Sequence, residues 1–133
     1  MNKKKSVLID TNFILRLLLK DIPSQFKKSR QLFKEIEDGE VFGLISILVI
    51  NELIWILENF YEKERKDFIP QVLKVLSLKK IKILEIKKKD LIFILEKMME
   101  ENLDFTDLYL LYLKKQSKHD IASFDKKLLK KTA

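Results

Sequence analysis

Short apolar stretches alternate with longer amphipathic ones along the 133-residue chain, and this alternation limits the possible folds more than any other feature. It predicts strands at residues 7–9, 41–45, 81–86 and 121–124, with helices between them. A helix between consecutive strands forms a crossover connection, which places the strands parallel in one sheet. We therefore expect an α/β fold, a three-layer α/β/α arrangement around a central, mainly parallel sheet of four or five strands.

The chain shows no internal boundary. It contains two glycines and two prolines, and neither a low-complexity linker nor a repeat divides it. A single domain spanning residues 1–133 is expected. No cysteine is present, which excludes disulfides, a thiolate metal site and a cysteine nucleophile. Neither a targeting segment nor an apolar stretch long enough to span a bilayer is evident, so we expect a soluble cytoplasmic protein.

The charge balance is basic, with a formal net charge of +7. The only arginines are Arg16, Arg30 and Arg65, so lysine carries nearly all of the positive charge. Lysine acts as a flexible point charge, which suits sequence-tolerant attraction to a nucleic-acid backbone. A lysine-rich solvated surface explains the same composition, and both interpretations stay open here.

Carboxylates follow the first and the last predicted strands. Asp10 follows the first strand in "VLIDTNFIL", and Asp125 follows the last in "IASFD". The carboxyl ends of parallel strands share one edge of a sheet, where ligands bind, so these two acids are expected at that edge. The alternative is structural, because Asp, Thr and Asn are also common helix N-caps.

Three further acids have both a structural and a functional interpretation. Glu52 lies on the helix that leaves the second strand, and the helical wheel by itself favours an exposed polar arc for it. In "NLDFTDLYLL", Asp104 suits a helix N-cap and Asp107 the third helical residue, as in a capping box.

Several acids at one edge of a basic domain indicate a cation, because clustered carboxylates repel and raise one another's pKa. With oxygen ligands, no cysteine and a single histidine, Mg²⁺ or Mn²⁺ fits and Zn²⁺ does not. The lone His119 is interpreted as a surface residue. No glycine-rich phosphate loop is present, which argues against a nucleoside-triphosphate enzyme.

With these residues assembled, the chain resembles the PIN-domain nucleases, and within them the small single-domain toxins of VapBC-type toxin–antitoxin modules. The matching stretches are "LIDTNFIL", "SILVINELIWIL", "LDFTDLYLL" and "IASFDKKL", in the expected order. The resemblance implies a PIN-like fold and Mg²⁺- or Mn²⁺-dependent cleavage of RNA phosphodiester bonds. It also implies a homodimer and a cognate antitoxin.

The resemblance assigns roles to eight residues. The acidic quartet corresponds to Asp10, Glu52, Asp107 and Asp125, and Asp104 to an accessory acid beside it. Small polar residues that orient these acids correspond to Thr11, Asn12 and Ser123.

Two departures from the family pattern are visible. Leu108 stands where a small residue usually follows the third acid. The chain ends at "KKLLKKTA", where many relatives add an edge strand, so we expect a smaller sheet or an edge that a partner completes.

Other functions share these residues. A nuclease for RNA processing or for structured DNA would use the same quartet. A catalytically silent PIN domain that serves as a binding module would keep the fold alone.

Apolar residues beyond a single helical stripe, in "FILRLLL" and "LYLLYL", predict a contact surface for a second copy or an antitoxin.

Overall fold

Three parallel strands form the sheet of the computed structural model, which describes residues 5–132. They are β1 (Lys5–Leu8), β2 (Val41–Ile45) and β3 (Ile81–Ile83), in the order β1-β2-β3. Leu8 pairs with Leu44 and Ile45 with Ile83. The parallel α/β prediction is confirmed. The single-domain prediction includes residues 1–4 and 133, which lie outside the described residues.

Helices follow each strand, as the alternation predicts. They are α1 (Thr11–Leu19), α2 (Pro23–Glu37), α3 (Ile47–Trp55), α4 (Arg65–Leu76), α5 (Lys88–Glu100), α6 (Phe105–Ser117) and α7 (Lys126–Lys131), and a π-helical turn (Ile56–Phe60) extends α3. None of the helices in residues 5–132 combines the length and the apolar character needed to cross a bilayer.

Side chains that accept hydrogen bonds from the first free N–H groups set the beginnings of several helices. Ser46 caps α3 by accepting a hydrogen bond from the Leu48 N–H at 3.1 Å. At the other end of α2, Gly39 has a φ of +80°, a left-handed conformation that glycine adopts without a steric penalty. Local hydrogen bonding and backbone conformation therefore contribute to both of these helix boundaries.

The hydrophobic core lies against one face of the sheet. Val41 and Ile45 of β2 and Ile81 of β3 are buried there, and Ile36 of α2 packs with them. The opposite face is more open, because Leu44 is only half-buried and its register partner Leu8 is 72% exposed. The expectation of helices covering both faces therefore holds fully for one face only.

The predicted number of strands is wrong for the described part of the chain, which forms three strands rather than four or five. The predicted strand at 121–124 is irregular, and Phe124 is fully exposed. Local polar bonds explain the difference. Ser123 Oγ accepts a hydrogen bond from the Asp125 N–H at 2.9 Å, and Asp125 then caps α7. Such side-chain-to-backbone bonds compete with a strand ladder for the same groups.

Candidate active site

Asp10 lies just past the carboxyl end of β1 and begins α1. The Ile9 N–H donates to the Leu44 carbonyl at 3.0 Å, which extends the strand pairing almost to Asp10. The exposed Asp10 side chain then accepts a hydrogen bond from the Phe13 N–H at 2.9 Å through Oδ1. The capping prediction is thus confirmed. Capping uses one carboxylate oxygen and leaves Asp10 at the sheet edge where ligands bind in α/β proteins.

Asp104 and Asp107 lie together at the beginning of α6. Asp104 is the N-cap, and its Oδ1 accepts a hydrogen bond from the Asp107 N–H at 2.8 Å. Partial burial raises the pKa of the Asp107 carboxyl, and repulsion from Asp104 and a hydrogen bond between the two carboxyl groups raise it further. Asp125 adds a smaller upward contribution. Asp104 and Asp125 therefore both act electrostatically on Asp107.

Asp125 follows an irregular segment, which corrects the prediction that it follows a strand. It caps the short helix α7, accepting hydrogen bonds from the Lys127 and Leu128 N–H groups at 2.9 and 3.4 Å. Ser123, predicted to orient the acids, does contact this one through the Asp125 backbone. The fold still brings Asp125 close enough to Asp107 to affect its pKa. The strand that was expected to place Asp125 there is not formed in the described residues.

Glu52 is exposed in the second turn of α3 and shares a cavity with Asp104. This cavity, of about 540 Å³, separates α3 from the beginning of α6. Thr11 is buried and Asn12 exposed at the beginning of α1. Within residues 5–132, no side-chain hydrogen bond joins Thr11 or Asn12 to a predicted acid, so their orienting role stays a prediction.

Glu85 is a further carboxylate at this edge, and the sequence prediction missed it. Its two carboxylate oxygens accept hydrogen bonds from the Ser46 hydroxyl at 2.6 Å and from the Ile47 N–H at 2.7 Å. Burial alone would raise the pKa of Glu85, but these hydrogen bonds outweigh it and lower the pKa. Glu85 falls inside the predicted strand 81–86, so the sequence did not indicate a role for it at the end of the strand. Because β3 ends at Ile83, Glu85 lies beyond the strand end and fixes the beginning of α3.

Arg65, also missed from sequence, holds the turn that precedes Asp104. Its Nη1 donates hydrogen bonds to the carbonyls of Met98, Glu101 and Leu103 at 3.2, 3.1 and 2.7 Å. Its Nε donates to Glu58 at 3.0 Å. The guanidinium fork therefore ties the end of α5 to the beginning of α4. No sequence signal marks this role, because it depends on carbonyls more than 30 residues away.

The donor set suits a hard divalent cation, since it consists of carboxylate oxygens and the acids at the beginning of α6 repel one another. The side chains themselves are not closely gathered. Across residues 5–132, no group of three or more acidic, histidine or cysteine side chains is arranged closely enough to hold a metal ion. The chemistry of the donors thus fits such an ion, while their arrangement is more open than a closed metal site.

Leu108, the departure from the family pattern, is buried in the core directly after Asp107. Its larger side chain thus packs inward and leaves the Asp107 carboxyl at the helix surface, half-buried.

Comparison with known proteins agrees with this geometry. The family model described as "PIN domain" matches residues 7–133. No curated protein and no solved structure matches the chain significantly. PIN domains are typically nucleases that bind nucleic acid and use divalent metals. The match covers nearly the whole sequence and includes every acid discussed above, and the chain therefore belongs to the PIN domain family.

Proposed function

We propose that this chain is a divalent-metal-dependent endoribonuclease and the toxin of a toxin–antitoxin pair. The observation that carries the proposal is that Asp104 and Asp125 both repel the ionised carboxyl of Asp107. Two of these acids hold fixed positions because they cap α6 and α7. Such repulsion destabilises a fold unless a cation offsets it, so it favours a metal-binding role over a purely structural one.

In the proposed mechanism, the residues that would hold Mg²⁺ or Mn²⁺ are Asp10, Glu52, Asp104, Asp107 and Asp125. The chemistry such an ion supplies when bound is polarisation of a phosphate oxygen and a lowered pKa for water. Asp107 would take the proton that the attacking water loses, because partial burial and repulsion from Asp104 raise the pKa of its carboxyl. The water oxygen would bond to phosphorus as the bond to the leaving sugar oxygen breaks, and that oxygen would take up a proton from solvent water.

The charge distribution supports an anionic polymer as substrate. The chain carries a net charge of +7, although its candidate site is acidic. Surface lysines attract a phosphate backbone without reading its sequence. RNA rather than DNA is proposed on the resemblance to the small toxins of the family.

The proposed partners are a cognate antitoxin and a second copy of the chain, in the cytoplasm. Of the two stretches predicted to form a contact surface, "FILRLLL" is buried or half-buried at every residue. In "LYLLYL", Leu110 and Leu113 remain exposed at 37% and 36%. The second stretch is therefore the better candidate for a protein contact.

A second candidate is a catalytically silent PIN binding module. The open arrangement of the carboxylates across residues 5–132 favours it, because a silent domain needs no gathered ligands. A DNA nuclease would use the same acids and differ only in substrate.

The test is cleavage by the purified protein of structured RNA and of DNA with the same sequence, in Mn²⁺ or Mg²⁺ and again in EDTA. We expect RNA cleavage that EDTA abolishes and that the Asp107→Asn variant lacks. Cleavage of DNA alone would support the alternative nuclease, and binding without cleavage would support the silent module. Growth arrest on expression of the wild type, but not of Asp107→Asn, tests the toxin role.

A further inference from the structure

Trp55 is the only tryptophan of the chain and lies beside the candidate site, largely in solvent. It is the last residue of α3, three positions after Glu52, and its side chain is 62% exposed. Residues three apart on a helix are neighbours, with Cβ atoms about 5–6 Å apart. The indole therefore lies next to a proposed metal ligand.

Trp55 lines the same cavity as two of the proposed metal ligands, Glu52 and Asp104. The cavity of about 540 Å³ is bordered by Trp55, Asn51, Glu52, Asp104 and Thr106. Its volume falls within the range of about 300–1,000 Å³ common for small-ligand sites. It joins a flat aromatic surface to amide and hydroxyl groups, and these are the groups that contact a nucleobase.

The charge of the cavity decides which part of a nucleic acid fits it. None of the described residues that border the cavity is a lysine or an arginine, whereas Glu52, Glu58 and Asp104 are acidic. Away from a bound cation, these carboxylates would repel a phosphate placed beside Trp55. An uncharged planar base would not be repelled, and it would cover the exposed indole.

The backbone around Trp55 is also unusual. The π-helical turn (Ile56–Phe60) begins directly after it. Asn59 Nδ2 donates a hydrogen bond to the Trp55 carbonyl at 3.0 Å, which bridges this turn. Such turns are rare and occur frequently at functional sites, where they redirect side chains.

We propose that Trp55 stacks on an unpaired base of the RNA substrate, next to the phosphate that lies at the carboxylates. This inference rests on the proposed function and names the side chain that would hold an unpaired base. The bases of a duplex are stacked on one another and cannot reach an indole, whereas unpaired bases stack readily on aromatic side chains.

The competing explanation is a protein contact. Leu48 and Phe60 on the same segment are 74% and 73% exposed, and a second copy that covered them would also cover Trp55. The cavity shared with Glu52 and Asp104 favours RNA, because a flat apolar contact between copies requires no polar cavity.

The test uses the single tryptophan as its own probe, in the Asp107→Asn background so that the RNA stays intact. A single-stranded oligonucleotide is titrated while tryptophan emission is recorded, and a blunt duplex of equal length serves as the comparison. We expect quenching by the single strand and little by the duplex. Equal quenching by both, or none by either, would overturn the proposal.

Affinity for a labelled single strand is then measured by anisotropy in three further variants. Trp55→Ala is expected to weaken binding by about 5- to 150-fold, which is the range for loss of one stacked base. Trp55→Phe should retain most of the affinity, and the control Phe60→Ala should retain nearly all. Melting temperatures verify that the exposed substitutions leave the fold intact.

Two results separate the possible failures. If the wild type cleaves RNA but Trp55→Ala binds the single strand as tightly as its parent, the stacking inference is wrong and the proposed function stands. If Trp55→Ala instead abolishes self-association in light scattering with RNA affinity unchanged, the indole belongs to a contact between copies. Absence of any RNA binding would overturn both proposals.

Discussion

Asp104 accepts a hydrogen bond from the Asp107 N–H at 2.8 Å, and the negative charges of the two carboxyl groups repel each other. Partial burial, and then repulsion from Asp104, raise the pKa of Asp107. Asp104 thus stabilises the beginning of α6 by accepting a backbone hydrogen bond, while its own charge disfavours the ionised form of the Asp107 carboxyl. Capping and metal binding are therefore compatible roles for these acids, and substitutions can separate them.

Replacing Asp107 with Asn should reduce RNA cleavage by at least about 10²-fold, on the scale of losing one electrostatic catalytic group. Asp104→Asn should reduce it less, because Asn also caps helices. Nuclease assays of both variants measure the difference. Asp38→Asn, at an exposed acid that directly follows α2, is the control. Full activity in Asp107→Asn would return this residue to a structural role.

Stability of the metal-free protein should depend on Asp107 in the acidic range. Its pKa in the folded state is raised above the ordinary value of 3.8. The unfolded chain therefore releases this proton first, and the folded state loses stability as the pH rises from below 3.8 through the raised pKa. In EDTA, the melting temperature of Asp107→Asn should rise relative to that of the wild type as the pH increases from about 4 to about 7. A constant difference across this range would contradict the prediction.

Addition of Mn²⁺ should raise the melting temperature, because the ion binds the folded state and relieves carboxylate repulsion. Linkage gives a gain of about 2.7 kcal/mol at a hundredfold excess over the dissociation constant. Thermal melts and titration calorimetry at millimolar Mn²⁺ measure the effect. The same addition should shift Asp107→Asn much less. An unchanged wild-type melting temperature without binding heat would refute the metal site.

Replacing Arg65 with Met should destabilise the fold by about 2–4 kcal/mol, since it leaves three carbonyls and Glu58 without their charged donor. Urea unfolding gives this value. Hydrogen exchange of residues 101–104 should accelerate, because Arg65 holds that turn in place. Arg30→Met, at an exposed arginine of α2, is the matched control and should change neither measurement. Equal effects of both substitutions would show that Arg65 has no special role.

Replacing Gly43 with Ala should destabilise the centre of the sheet by about 1–3 kcal/mol through overpacking. The added Cβ would lie 2.6 Å from Ile81 Cδ1 and 2.8 Å from Ile36 Cδ1. Ile81→Val removes the first of these methyl groups. The double variant should therefore be more stable than the sum of the two single effects predicts, as measured by urea unfolding. Strict additivity would argue against the overpacking explanation.

The sequence determined those parts of the structure that depend on nearby residues. The cap residues Asp10 and Asp104 could be identified because each bonds an N–H three positions away. The alternation of apolar stretches also indicated a parallel sheet, because strands that are joined by crossover connections lie parallel to one another. The order of the acids along the chain pointed to the PIN family for the same reason, since motifs are local.

The tertiary structure decided whatever depends on distant partners. A strand exists only when a neighbour pairs with it, and in the described residues the segment 121–124 bonds locally instead. Arg65 and Glu85 gained their roles from carbonyls and N–H groups that lie more than 30 residues away. The repulsion between Asp107 and Asp125 likewise arises only after folding, because Coulomb interactions depend on distance in space and not on separation along the chain.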